Sequence, residues 1–452
     1  MEKLTVWVEP GTSFVSDDAP TGDLRQEAQA DSIRASLVAA ARKAGVWMGM
    51  VWGGGSVEPL PHAWSRCCAA AEGGAALVYG DYEGRAGRVD TLDPEPGSLR
   101  EEFDAGPVWL ARSAAVLAAI ESLPAEVVSH RAVRYGLRLG LLRQGAMRLP
   151  EEIARTVRDV PEDLFGYVRA GTESLQRELE TVLTDHLRRV DAWLPPRERR
   201  FIDHAVYPVD ASVVISVRDR VRTIGDAVSS ALSQETDFPF NVLMVDNHSR
   251  DDTARKAMEA SAGDARLQII VPGRTDLGIG GCWNVAAFSS RAGRFLVQLD
   301  SDDVYASHES LQAMIGLIRS GPWAMAVGAY RTVDMQRVEI PPGLVAHHEW
   351  TAENGHNNLL RVSGIGAPRV FATGVVREHP FPNVSYGEDY AVALRVSRDY
   401  HIARSFDPVY LARRWEGNTD HLPSAELNRR REAYKNRLRT VEVGARARTR
   451  DG

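Results

Sequence analysis

The chain has 452 residues, more than one hydrophobic core usually supports, so two or three domains are expected. With 44% hydrophobic and 25% charged residues it has the make-up of a folded globular protein, which excludes a disordered chain. A formal net charge of −7 argues against a general nucleic-acid binder. The opening Met1-Glu-Lys-Leu-Thr-Val-Trp-Val8 turns to Glu9-Pro-Gly11 before any usable apolar stretch, so no signal peptide is expected. The longest apolar stretch, 44–55, is too short and glycine-rich to span a bilayer, so no transmembrane segment is expected. Cys67, Cys68 and Cys282 form no metal-ligand or disulfide pattern, and a reducing, cytoplasmic setting is the simplest expectation. Cys67-Cys68 read as helix-packing residues.

In chain order, the first feature is an internal echo. Ala75–Tyr82 resembles Trp323–Tyr330, Asp104–Ser113 resembles Gly364–Thr373, and Leu137-Arg-Leu139 sits where Leu394-Arg-Val396 sits later. On this alignment Glu388-Asp389 faces Arg131-Ala132, and Asp300–Asp303 has only Glu9-Pro10-Gly11 as a weak counterpart. The first copy is then expected to be catalytically silent. Next, Leu175, Leu179, Val182, Leu183, Leu187, Val190 and Trp193 carry helical spacing. Pro195-Pro196 ends that helix, and the main boundary falls there. The expected division is 1–170 as an N-terminal α/β domain, 171–206 as a linker helix, 207–425 as the main domain and 426–452 as a basic helical tail.

From Ser212 onward strands and helices alternate. Ser212–Val217, Val242–Val245, Leu267–Val271 and Phe295–Leu299 read as strands with helix-compatible segments between them. That pattern predicts an α/β fold with a largely parallel sheet covered by helices. In such sheets ligands bind beyond the carboxyl ends of the strands. Three strands end there in polar residues: Arg218-Asp219, Asp246-Asn247 and Asp300–Asp303. Ser216 lies within the first strand, beside them.

Asp300-Ser301-Asp302-Asp303 is the densest of these. Clustered oxygen ligands suit Mg²⁺ or Mn²⁺, and such a metal neutralises phosphate; a simple strand-to-loop turn uses the same residue types. Asp246 and Asn247 offer an acceptor and an amide to a nucleobase edge or ribose, while Asp251 and Thr253 suit a helix cap. The loop Pro272–Asn284, with Arg274, Gly278, Gly280, Gly281 and Asn284, could bring N–H groups and a helix N-terminus to phosphate. Glu388-Asp389 precedes the helical stretch Tyr390–Val396 and fits either a cap or a general base. In Arg413–His421 the arginines suit phosphate, and His421 could complete a metal site. Arg429–Arg431, Lys435, Arg437, Arg439, Arg446, Arg448 and Arg450 read as a solvated helix with a frayed end, or as a dock for an anionic partner.

Together these elements resemble the family 2 glycosyltransferases of the GT-A fold. Ser212–Arg220 is similar to that family's opening strand, Val245–Thr253 to its Val-Asp-Asp-Gly-Ser element, Leu299–Asp303 to its metal-binding Asp-x-Asp region and Gly387-Glu-Asp389 to its Glu-Asp element. At Arg218, Asp219, Asn247 and His248 the chain carries other residues than the family's usual ones. The resemblance implies a Rossmann-like, mostly parallel GT-A sheet, with residues 1–170 as a partial, degenerate copy. It implies inverting transfer of a sugar from a nucleotide-sugar, UDP-sugar first, to an acceptor hydroxyl, with Mn²⁺ or Mg²⁺. Asp302 and Asp300 would hold the metal, Asp300 also lying with Ser301 nearer the ribose, with Asp303 and His421 as further ligands and Asp389 beside Glu388 as base. A catalytically silent nucleotide-sugar-binding scaffold is the alternative. The acceptor, whether glycan, peptide or small molecule, is expected to meet His347–Gly366; a homo-oligomer stays open.

Overall fold

A computed structural model describes residues 4–10, 12–14, 32–53, 55–156, 171–196, 201–418 and 424–448. The first half runs β1 (Thr5–Val8), β2 (Ser13–Phe14), α1 (Ile33–Lys43), β3 (Trp47–Val51), β4 (Ser56–Pro59), α2 (Ala63–Ala71), β5 (Leu77–Gly84), β6 (Gly87–Val89), β7 (Val108–Arg112), α3 (Ser113–Glu121), α4 (His130–Arg143), β8 (Ala146–Thr156) and α5 (Glu173–Arg189). The second half opens with β9 (Ala211–Val217), α6 (Ile224–Leu232), β10 (Phe240–Asp246), α7 (Thr253–Ser261), β11 (Leu267–Ile270), α8 (Ile279–Ala287) and β12 (Phe295–Gln298). It continues through β13 (Val304–Tyr305), α9 (Ser310–Arg319), β14 (Met325–Val333), β15 (Glu339–Val345), α10 (Gly355–Asn358), β16 (Arg369–Ala372), α11 (Thr373–Glu378), α12 (Glu388–Asp399), β17 (Ile402–Arg413) and α13 (Ala425–Arg448).

The second half folds around a sheet ordered β11-β10-β9-β12-β16-β14-β17-β13, with β15 on β14. β11, β10, β9 and β12 are parallel neighbours. Their near-continuous apolar runs suit strands covered on both faces, and β9 is buried along almost its whole length. The parallel strands therefore deliver Val217, Asp246 and Asp300 to one edge, as the strand pattern predicts.

The first sheet repeats much of this path. Its order is β1-β3-β7-β5-β8-β4-β2, with β6 on β5. β3-β7-β5-β8 carries the same alternation of strand directions as β12-β16-β14-β17. β4 and β13 each flank the long last strand antiparallel, and β1 lies parallel on β3 as β9 lies on β12. Register matches the sequence echo: Leu77 faces Ala111 as Met325 faces Phe371. Both β5–β8 and β14–β17 slip register beside a glycine, Gly80 in one and Gly328 in the other. A Cβ at Gly80 would stand 3.0 Å from Glu151 O, and one at Gly328 2.9 Å from Pro368 Cδ, so the crossing strands need the missing side chain.

Register also corrects one pairing. Because β3 matches β12, the residue following Val51, Trp52, takes the place of Asp300. Glu9-Pro10 follows β1 and so corresponds to the end of β9, not to the aspartates; Gly11 lies outside the described residues.

The halves share a core. One apolar cluster runs from Trp7 and Trp109 through Leu179 and Leu183 of α5 to Phe371, Tyr390 and Val443. The segment after residue 170 is thus packed structure rather than a loose connector. The basic tail differs from the solvated helix expected: Arg439 and Arg446 are fully buried. Arg439 donates to Tyr390 Oη at 2.9 Å and Val362 O at 3.1 Å; Arg446 donates to Glu442 at 2.8 Å and His356 O at 3.0 Å. On the other side Gly97 N–H donates to Thr440 Oγ1 at 2.9 Å, and Arg100 pairs with Glu432 at 2.6 Å. α13 is a clamp between the halves.

Candidate active site

Beyond the carboxyl ends of β9 and β12 lies a cavity of about 570 Å³. Ser216, Arg218, Asn247, Asp300, Ser301, Asp302, Asp303, Glu388 and Asp389 all line it. Nine residues singled out from sequence therefore meet in one place.

The acidic turn divides its labour. Asp300 is exposed, and its N–H donates to Tyr410 Oη at 2.9 Å while Oδ2 accepts from Gln298 Nε2 at 2.9 Å. Asp302 Oδ2 accepts from Trp415 Nε1 at 3.2 Å and Asn418 Nδ2 at 3.0 Å, both neutral donors. Asp303 is turned inward, where Oδ1 accepts the Arg413 N–H at 2.7 Å. Burial, with Asp302 and Asp300 beside it, pushes the Asp303 carboxyl well above the usual range. Asp303 Oδ1 thus anchors β17. Among the described residues no three His, Cys, Asp or Glu side chains converge as a ready ligand set. Asp302 and Asp300 still offer hard oxygens on the cavity wall, and the partners of Asp302 are neutral donors, so the pair fits a Mg²⁺ or Mn²⁺ ion completed by a phosphate ligand. His421 lies outside the described residues.

The second carboxylate pair is set by backbone. Gly387, with φ of +76°, turns the chain into α12, so Glu388 and Asp389 occupy its first turn. Asp389 Oδ1 accepts its neighbour's N–H from Tyr390 at 2.7 Å, and Oδ2 pairs with Arg369 Nη1. Glu388 is buried, and its Oε2 has no partner. Burial raises the Glu388 carboxyl above its ordinary value; Asp300 adds to this, while backbone N–H, Arg369 and Lys435 oppose it. Asn247 Oδ1 is a second acceptor on the wall without a partner among the described residues, its amide being given to Leu277 O at 2.7 Å. Two buried acceptors in one cavity call for donors from a ligand.

Other expected contacts are not brought in. Asp246 Oδ1 holds its own turn through Ser249 N–H at 2.9 Å. Arg274 is exposed and pairs with Asp276 at 2.6 Å. Asn284 clasps the backbone of Phe381 in both directions at 2.9 Å. The glycines of that loop serve close packing rather than phosphate: a Cβ at Gly278 would lie 2.6 Å from Val384, and one at Gly281 2.4 Å from Asn383. The Gly278 and Gly280 N–H groups are already given to Asn383 Oδ1 at 2.7 Å and Val384 O at 3.0 Å. Within 347–366, His347 and Ser363–Gly366 line the cavity, whereas His356 faces Leu194 O at 2.8 Å. Sequence reading missed Arg369, Asn418 and Lys435, which join the site across long stretches of chain.

The same place in the first sheet is closed. Trp52 is fully buried, 4.8 Å from Trp7 and 5.1 Å from Trp109 between ring centres, with Arg134 stacked 5.0 Å above it. Glu9 closes the rim through Gly53 N–H at 2.5 Å and His130 at 3.1 Å.

Residues 212–375 match the family model for glycosyl transferase family 2. Over those residues the chain is similar to the glycosyl transferase family 2 domain. Solved structures of similar fold include S. aureus TarS 1-349 in complex with UDP-GlcNAc, at 20% identity and TM-score 0.40 over 52% of this chain and 66% of that one. Another is glucosyl-3-phosphoglycerate synthase from Mycobacterium tuberculosis with Mn²⁺, UDP and its product, at 18% identity and TM-score 0.37 over 53% and 80%. A third is the mannosyltransferase PcManGT from Pyrobaculum calidifontis with GDP-Man and Mn²⁺, at 15% identity and TM-score 0.36 over 60% and 84%. The chain spans less than two thirds of the TarS structures it matches. No curated protein sequence matches it, and among the described residues no helix is long and apolar enough to cross a membrane.

Proposed function

We propose that the chain is an inverting, metal-assisted glycosyltransferase that moves a sugar from a nucleotide-sugar, UDP-sugar first, to an acceptor hydroxyl. The observation that carries this is the single cavity joining the β9 end, the Asp300–Asp302 turn and the Glu388-Asp389 helix start, within a chain whose residues 212–375 match the family. When bound, a divalent cation at Asp302 and Asp300 would neutralise the leaving diphosphate. Asn247 is placed to read the nucleoside. Asp389 accepts the acceptor's proton as that oxygen bonds to the anomeric carbon; the carbon–diphosphate bond breaks, and its electron pair leaves with the diphosphate. Arg369 has to release Asp389 first, because a carboxylate held by a guanidinium accepts protons poorly. Cytoplasmic residence accompanies this reading, in keeping with three free cysteines.

The Arg369–Asp389 pair also favours a second reading, a nucleotide-sugar-binding scaffold whose base stays occupied. Release of UDP from a panel of UDP- and GDP-sugars, with and without Mn²⁺, separates the two. Turnover that needs Mn²⁺ and disappears in Asp302→Ala supports the transferase; donor binding without any release supports the scaffold.

A further inference from the structure

Part of the cavity wall comes from outside the family-matched segment. α13 supplies Lys435, which is 6% exposed and lines the cavity. Its Nζ donates to Ser363 O at 2.6 Å and Tyr386 Oη at 3.0 Å, and it stands 4.4 Å from the centre of the Tyr386 ring. Both oxygens are neutral. The carboxylates around it are engaged or turned elsewhere: Glu432 pairs with Arg100 at 2.6 Å, and Asp389 pairs with Arg369. Glu388 and Glu432 feel the ammonium charge, yet among the described residues none comes within ion-pair distance of Nζ. Further cations gather on the same face, with Arg431 4.4 Å over the Tyr386 ring and Arg439 donating to Tyr390 Oη.

A buried ammonium held by neutral oxygens loses hydration without gaining a contact ion pair, and among the described residues two acceptors meet it, leaving its third N–H for a ligand. Its position decides which ligand. A Cβ on Gly387 would lie 3.8 Å from Lys435 Cε, so the ammonium stem runs beside the turn that presents Glu388 and Asp389. In an inverting transfer the base and the departing diphosphate stand on opposite sides of the anomeric carbon. A cation on the base side therefore faces the acceptor.

We propose that Lys435 is the anion-binding residue of an acceptor subsite, and that the acceptor carries a phosphate or carboxylate near the hydroxyl it offers to Asp389. The inference rests on the transferase reading above. Its ligand chemistry is a small anionic oxygen group, and the orphan Glu388 Oε2 nearby would take a hydroxyl hydrogen from the same molecule.

The test uses the full chain with UDP and Mn²⁺, followed by thermal shift. Probes come in pairs: glycerol 3-phosphate and glycerate against glycerol, and glucose 6-phosphate against glucose. The anionic members are expected to raise the melting temperature further while the neutral members do not. Lys435→Met should weaken the anionic probes at least about tenfold and leave the UDP–Mn²⁺ shift in place, and Lys435→Arg should restore much of the effect. Equal response to charged and neutral probes overturns the inference, as does undiminished probe binding by Lys435→Met. Weakened UDP binding in that variant would reassign the cation to the donor diphosphate and also overturn it. If Lys435→Met does not fold, the wild-type preference between paired probes decides alone. Failure of wild type to bind UDP at all strikes the transferase reading instead, so the two failures are distinguishable.

Discussion

The two sheets run the same strand path, but one ends in carboxylates where the other ends in tryptophans. Asp300 and Trp52 follow matching strands, and Arg369 and Trp109 occupy matching positions on β16 and β7. In the second half these positions border a cavity of about 570 Å³. In the first, three indoles pack ring to ring and Arg134 covers them. The contrast is one of free energy as well as chemistry. A cleft of charged groups at a sheet edge is costly: burial, with neighbouring carboxylates adding, raises the Asp303 and Glu388 carboxyls. Aromatic filling instead buries large apolar area and stabilises the fold. The first half is bound to the second through α5, α13 and a common core.

This comparison can be broken from either side. The largest effect is expected at Asp389→Asn: transfer should fall about 10³-fold while UDP binding persists, because a positioned base contributes about 10²–10⁴. A fully active variant would remove Asp389 from the reaction. Trp52→Ala, in the other half, should destabilise the chain by about 3–5 kcal/mol without changing the donor's KM after folding is restored at low temperature. Melting curves and kinetics together check this; an altered KM with unchanged stability would make the first half functional rather than structural.

A smaller effect comes from α5. His186 is buried with Nδ1 accepting from Arg143 at 3.0 Å, and burial, with Arg143 adding, lowers it to about 3. Its unfolded value is the ordinary 6.5. Between these values the unfolded chain binds the extra proton, so this contribution to stability is intact above 6.5 and falls as pH drops toward 3. The slope is at most about 1.4 kcal/mol per pH unit. Denaturant titrations at pH 7, 6 and 5 should show that decline, and His186→Gln should flatten it. The smallest effect is at Arg274→Ala. This pair with Asp276 is exposed and screened by solvent, and donor KM should stay within about twofold. A large rise in KM would restore Arg274 to the donor site.

Much of the second half was legible because strand ends leave a simple signal. The apolar runs ending at Val217, Val245 and Leu299 end within one residue of the observed β9, β10 and β12, and Asp300–Asp303 stands where the topology puts ligands. The echo between 75–82 and 323–330 was legible too, down to the register. What escaped detection depended on distance or on sign. Asn284 meets Phe381, 97 residues away, and Lys435 meets Ser363, 72 residues away; no local pattern encodes such contacts. On α13 a helical period was present at Glu432, Lys435, Asn436, Arg439, Glu442, Val443 and Arg446, all buried. Because that face is mostly charged, a search for apolar periodicity passed over it. Trp52-Gly53 was hidden by the same bias toward matching like residues: the substitution of indole for carboxylate is what closes the first site.

The most direct test counts sites. Isothermal titration of the chain with UDP in saturating Mn²⁺ should give one site per chain, abolished by Asp302→Ala and retained in Trp52→Ala at a temperature where both variants are folded. Two sites, or one that survives Asp302→Ala, would contradict the assignment of donor binding to the second sheet alone.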